Sequence, residues 1–380
     1  MKAIILQRVI PDYRAAVFRE ITANENNDIS LIIGQSIASA KAKNSNDLSG
    51  IKFKQLATNN IRIFGRVFVW HVGLLKELKK ENPDVIICEA ESHFLGYLSA
   101  IIYKLFISPR TRLIMWCFYA LPGKVHERSF FHSWVKKRAR LCFDGFISYT
   151  SFGKKQLMAS GISEDKITVA VNVCDTELLI NKNKSLSITK EDAKRRLGVE
   201  DKFVVTYVGT VDEAKKPELV IELAMLFQSK AFHFFIIGSG PLELQIRARV
   251  AELGLRNITL TGRVVEDLPT YYRATDVVVI PGRGGIVISE SMCFGVPVVV
   301  HQADGVEHDL IRHGVTGAIL DSGDVSDFER ELLAFADAPD RVKQLGQNAY
   351  LLVQNTFSTK LMANSVISSI ERFKFDRKPK

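Results

Sequence analysis

One pattern constrains this chain more than any other, and it occurs twice. Apolar runs of four to six residues alternate with amphipathic segments of helix length. In the first half the runs cover residues 3–7, 29–33, 85–88, 113–117 and 145–149. In the second half they cover 203–208, 233–237, 258–261, 277–280, 296–300 and 317–320. A strand covered by helices on both faces is apolar on both sides, so it reads as a continuous run rather than an alternation. Two series of such runs predict two α/β domains, each built on a doubly wound parallel sheet. The domains are expected at residues 1–175 and 176–355, with 356–380 closing the chain as a helix that packs back toward the first domain. The polar stretch 181–200 breaks the periodicity and reads as a linker or as the start of the second domain.

Composition narrows the function classes. With 47% apolar residues, general disorder is excluded. The five cysteines, Cys88, Cys117, Cys142, Cys174 and Cys293, form no CxxC pair and are odd in number. They read as reduced core residues of a cytoplasmic protein and offer no zinc site. The N-terminal apolar run is too short for a signal peptide. The longest apolar stretch, 94–107, is interrupted by Lys104 and falls short of the roughly 20 residues a membrane span needs.

The net charge of +9 is unevenly placed. Residues 1–175 hold 25 Lys and Arg against 15 Asp and Glu; residues 176–380 hold 26 against 27. The excess therefore belongs to the first half, and it suits an anionic partner. No nucleic-acid-binding module is recognisable. In 129–143, Phe130, Phe131 and Trp134 stand beside Lys136, Lys137, Arg138 and Arg140, with Lys104, Arg110 and Arg112 nearby in sequence. Aromatics beside cations suit an anionic membrane surface. The alternative is a core-facing aromatic side and a solvated basic side.

Open α/β sheets bind ligands at the carboxyl ends of their strands, and a cleft between two such domains is a common ligand site. Three loops of the second half stand out. Gly209 and Thr210 end a strand, and the Lys215–Lys216 pair precedes a helix, which suits a phosphate or an ordinary solvated turn. Gly238 and Gly240 form a tight turn without the third glycine of a dinucleotide fingerprint. The densest loop runs from Pro281 through Gly282, Arg283, Gly284 and Gly285 to Ile286 and Val287, where a helix begins. Its glycines admit close backbone approach, and its helix start offers free amides. Glu290 lies about one turn further on, in an otherwise apolar helix. A carboxylate there needs hydrogen-bond donors, such as sugar hydroxyls, backbone or an arginine.

Together with Gly262-Arg263-Val264, residues 271–277 and residues 314–317, these segments resemble the donor half of the family-4 glycosyltransferases, retaining enzymes of the GT-B fold. The likeness is strongest over 204–320. Residues 6–14, 144–149 and 166–172 resemble the family more weakly, in the manner of bacterial enzymes that build capsule or lipopolysaccharide. The resemblance implies two Rossmann-like domains facing across a cleft, the first for an acceptor and the second for a nucleotide sugar, with UDP-sugars favoured. It implies that Lys215 holds the donor diphosphate and that Gly285, Ile286 and Val287 cap it. Glu290 would hold the ribose, and Arg263 and Val264 would flank the base. It also implies transfer with retention to a glycan or lipid-linked acceptor, no resident cofactor and no metal, and a place at the cytoplasmic face of the inner membrane.

Two positions depart from the family pattern. Thr210 stands where an arginine is usual, and Gly282 where the first of two glutamates is usual. Arg283 or Lys216 could replace the lost positive charge. On the acceptor side, Glu89, Glu91 and His93 are the candidate sugar-facing cluster. The competing readings are a sugar-nucleotide epimerase of similar architecture and a non-catalytic nucleotide-sugar-binding subunit of a membrane complex.

Overall fold

The structure is a computed structural model and describes residues 1–37, 43–63, 66–89, 94–117, 141–301 and 304–374. The chain divides into two units after residue 171, and the segment from residue 359 belongs to the first unit.

The strands of the first unit are β1 (Lys2–Leu6), β2 (Asp28–Gly34), β3 (Phe53–Leu56), β4 (Thr58–Ile63), β5 (Arg66–His71), β6 (Val85–Glu89), β7 (Arg112–Cys117), β8 (Gly145–Ser148) and β9 (Ile167–Val169). Seven of them form a parallel sheet in the order β3-β2-β1-β6-β7-β8-β9. The order reverses between β1 and β6, which opens a crevice at their carboxyl ends. Ile4, Leu6, Ile86, Cys88, Leu113 and Phe146 bury the apolar character that marked these strands in sequence. β3, the β4–β5 ribbon and β9 were not anticipated. β3 is a largely exposed edge strand, β4 and β5 pair antiparallel outside the main sheet, and β9 has only three residues. β3, β4 and β9 carry no apolar run of four residues; β5 does, at 67–70, but within a two-stranded antiparallel ribbon and not a parallel sheet.

The second unit contains β10 (Phe203–Val208), β11 (Phe232–Ile237), β12 (Ile258–Gly262), β13 (Val277–Ile280), β14 (Val298–Val300) and β15 (Gly317–Ile319). Their order is β12-β11-β10-β13-β14-β15, again all parallel, with the reversal between β10 and β13. This is the doubly wound parallel architecture expected for both halves.

The polar stretch read as a linker is helical over much of its length. Thr176–Ser185 is capped by the Asp175 carboxylate, which accepts from the Leu178 N–H at 3.1 Å. Lys190–Arg196 is capped by the Thr189 hydroxyl oxygen, which accepts from the Asp192 N–H at 3.1 Å. The first helix is polar yet firmly seated: Ile180 is buried, and Asn183 donates to the Cys293 carbonyl at 3.0 Å. The closing helix, Thr359–Glu371, buries Ala363, Val366 and Ile370 and packs on Asp12–Thr22 within the first unit. The apolar stretch after Phe94 forms an 11-residue helix, Gly96–Phe106. Among the described residues no helix is long and apolar enough to cross a membrane.

Candidate functional site

The switch point of the second sheet brings its three glycine-bearing loops together, backbone against backbone. A Cβ on Gly238 would collide with the Gly209 carbonyl, and one on Gly240 with the backbone of Val211. A Cβ on Gly282 would lie 2.5 Å from the Ala214 oxygen and 2.8 Å from Lys215 Cα. The Arg283 N–H donates to the Ala214 carbonyl at 3.0 Å, fastening the third loop to the first. Gly282 is thus fixed by packing, since any side chain at this position would push the lysine-bearing turn away.

Lys215 ends a short 3-10 turn, Glu213–Lys215, and reaches back to Gly209, just after β10. Its Nζ lies 2.5 Å from where a Cβ on Gly209 would stand, so the glycine makes the seat for the ammonium. Burial lowers the lysine pKa, while the carboxylates of Asp212, Asp304 and Glu290 act to raise it. Glu290 sits in Val287–Cys293, a helix with no side-chain cap at its start. Burial pushes its pKa up to about 7, against the pull of Lys215 and Lys182. A cation and a carboxylate that shares its proton near neutrality therefore occupy one desolvated corner. Such perturbed pairs are enriched at functional sites.

The other candidates of this half are distributed around that corner. Gly285 takes φ +58, and Asp304 Oδ2 lies 3.4 Å from its would-be Cβ. Ile286 and Val287 carry the chain into the helix. Arg283 is exposed, and its charge acts on Asp304. Thr210 is exposed, and its carbonyl accepts from the Tyr207 hydroxyl at 2.8 Å. Lys216 is exposed, in the left-handed region at φ +50. Arg263 and Val264 follow β12, two strands from β10; Arg263 is exposed, and Val264 packs against the cluster of Val199, Val204, Phe235 and Ile237.

Sequence reasoning missed Asp304. It stands beyond β14 in a loop organised by the fully buried Glu307, whose Oε2 accepts from the N–H groups of Asp304 and Gly305 at 3.2 and 2.8 Å. The Asp-Gly pair followed by a buried glutamate was the available signal.

In the first unit Glu89 ends β6 at that sheet's own switch point. Its Oε2 accepts from the Arg8 N–H at 3.0 Å, and the Gln7 amide, turned to face it, donates to both carboxylate oxygens at 3.0 and 3.2 Å. Glu89 thereby ties β6 to β1. Glu91, His93 and the aromatic and basic residues of 129–140 lie outside the described residues. Lys104 and Arg112, grouped with that basic stretch in sequence, both pair with Asp144, at 2.5 and 3.1 Å. They share one carboxylate within the first unit, so the trio keeps a single net positive charge. A second histidine went unnoticed: His71, at the end of β5, is 3% exposed. A Cβ on Gly34 would overlap both its ring and the Thr58 hydroxyl. Burial lowers its pKa to about 4, so it is neutral at pH 7. Nothing local marks it, because the ribbon that carries it was itself illegible.

Residues 189–352, which include every loop of the second-unit site, match the family model for glycosyl transferases group 1. The chain is 29% identical over 167 residues to the alpha-D-kanosaminyltransferase of Streptomyces kanamyceticus, covering 42% of this chain and 43% of that protein. It is 27% identical over 224 residues to a D-inositol 3-phosphate glycosyltransferase of Thermomonospora curvata, covering 54% and 52%. The matches thus span about half the length of these curated relatives or less. In fold, the chain superposes on Anabaena HepE, solved in complex with UDP, with a TM-score of 0.73 at 17% identity over 98% of this chain and 100% of that one. The GT-B fold is therefore shared over nearly the full length.

Proposed function

We propose that the protein is a glycosyltransferase that moves a sugar, with retention, from a nucleoside diphosphate sugar to a glycan or lipid-linked acceptor in cell-surface polysaccharide synthesis. UDP is the favoured nucleotide, in keeping with the UDP complex of the Anabaena fold relative. The observation that carries this reading is the Lys215 ammonium, seated on Gly209 at the switch point with Glu290 close enough to shift its proton affinity.

Breaking the bond between sugar and diphosphate builds negative charge on the leaving group. Fixed cations and oriented amides stabilise that charge without reorganising. Lys215 supplies the cation, and the uncapped start of Val287–Cys293 supplies amides. Glu290, once ionised, accepts from the ribose hydroxyls. Because Gly282 leaves no carboxylate facing the sugar, selection among donor sugars falls to other groups, and Asp304, 3.4 Å from the would-be Cβ of Gly285, is a candidate. A thermal-shift panel of UDP-, GDP- and dTDP-sugars tests the reading, since a ligand that binds only the folded state raises its melting temperature. A rise with UDP-sugars that is lost in Lys215→Met is expected; no rise with any nucleotide sugar would reject it.

The same reading places the protein on an anionic membrane surface. Its support is the outer face of Gly96–Phe106, where Leu98, Ile102, Leu105 and Phe106 are exposed, Phe106 at 80%, with Arg110 exposed just beyond. Flotation with anionic vesicles should show salt-sensitive binding that weakens in Phe106→Ser. Binding that ignores lipid charge would remove the membrane from the proposal.

A further inference from the structure

Arg14 lies in the first turn of Asp12–Thr22, the helix that follows β1, and is 6% exposed. Helical side chains lean toward the N-terminus, so its guanidinium points back over the carboxyl end of the sheet. It is walled by aromatic rings: its Cζ lies 4.5 Å from the Tyr149 centroid, 5.6 Å from Tyr13 and 5.7 Å from Trp116. Its one hydrogen bond among the described residues runs from Nη1 to Met362 Sδ, at 3.7 Å. A guanidinium carries five donors, and a thioether is a weak acceptor. Ring faces stabilise the charge, and no protein acceptor other than Met362 meets those N–H groups among the described residues. No carboxylate among the described residues pairs with Arg14, although buried cations are ordinarily paired.

A second donor in the same nest is also unanswered. Trp116 is 1% exposed, and its indole Nε1 has no partner among the described residues. Trp116 sits opposite Glu89 in the register of β6 and β7, which puts the nest at the carboxyl edge of the first sheet. The helix start nearby has no side-chain cap. The two buried side chains of this nest, Arg14 and Trp116, both present donors, and an oxyanion is the chemistry that answers both; the Asp12 carboxylate stands exposed at the helix start, outside the pair. The planar fork of arginine matches phosphate and carboxylate in bidentate fashion.

We propose that Arg14 and the Trp116 indole N–H form an oxyanion subsite of the first unit, which takes a phosphate or carboxylate group carried by the acceptor. That the oxyanion belongs to an acceptor rests on the glycosyltransferase reading; the subsite itself does not.

The test follows the indole N–H resonances of the full-length ¹⁵N-labelled chain during titration with methyl phosphate and, separately, with glucuronate. Trp116→Phe identifies the Trp116 signal. A saturable shift of that signal is expected, and the tighter of the two anions names the source. Arg14→Gln should weaken binding by about 10- to 100-fold, and Arg14→Lys, which keeps the charge without the fork, by less. The subsite is overturned if neither anion moves the Trp116 signal beyond a chloride control, or if the shift persists unchanged in Arg14→Gln. Should Arg14→Gln fail to fold, unchanged anion affinity in Arg14→Lys overturns it equally. The titration needs neither donor nor turnover. Anion binding without sugar transfer would therefore refute the enzymatic reading and leave the subsite standing, while transfer without anion binding would do the reverse.

Discussion

The two sheets reverse their strand order in the same way, β1 against β6 and β10 against β13, yet the two switch points are chemically opposite. In the second unit, glycines bring three loops into backbone contact, and a lysine rests on them among carboxylates. In the first unit, a carboxylate is held by neighbouring donors, and a neutral histidine is buried nearby on the β4–β5 ribbon. Topology thus supplies a crevice in both, and side chains decide what each can hold. The cation described at the first sheet's carboxyl edge is Arg14, set among aromatic rings and not among carboxylates.

That contrast can be broken most sharply by kinetics. Lys215→Met should lower donor kcat/KM on the order of 10²-fold, whereas Glu89→Gln should leave donor KM unchanged. Similar losses of donor affinity in both variants would erase the distinction. A smaller effect is expected at Gly282. Because its Cβ would meet backbone on two sides, Gly282→Ala should cost about 1–3 kcal/mol and show a melting temperature several degrees lower. An unchanged melting curve would mean that the loops are not zipped as described.

A third effect, comparable in size to the second, concerns pH, and it has opposite signs in the two units. Glu290 titrates near 7 in the folded chain against 4.5 in the reference state, so the folded form holds its proton more tightly. Its contribution to stability is therefore full below about pH 4.5 and is lost as pH rises toward 7. His71 titrates near 4 against 6.5, so its contribution is full above 6.5 and is lost as pH falls toward 4. Each contribution is at most about 3 kcal/mol. Between pH 7.5 and 4.5, Glu290→Gln should lose the wild-type gain on acidification, and His71→Gln should lose the wild-type penalty. Melting curves at the two pH values that shift in the same direction for both variants would contradict this assignment.

Legibility in sequence followed the same divide. The core strands could be read because burial on both faces leaves unbroken apolar runs. The glycine-rich loops of the second unit could be read because their glycines and Lys215 lie within short stretches beside strand ends, so local order carries the geometry. The polar edge of the first unit is assembled from Gln7, Gly34, Thr58, His71 and Glu89, spread over more than eighty positions. No local spacing announces such a cluster, and the ribbon that delivers two of its members pairs antiparallel outside the main sheet, so its apolar run at 67–70 does not mark a parallel core strand. Arg14 was visible only as one letter of a family-like stretch; its burial among aromatic rings depends on Trp116 and Tyr149, more than a hundred residues away.

The closing helix leaves the first unit written in two separate pieces of chain. A ribosome delivers Thr359–Glu371 only after the entire second unit has emerged. At about 5–20 residues per second, the first unit waits on the order of tens of seconds for Ala363, Val366 and Ile370 to cover Asp12–Thr22. The second unit, continuous from residue 172 to 358, has no such delay. Until that helix arrives, the second unit can be finished while the first remains open.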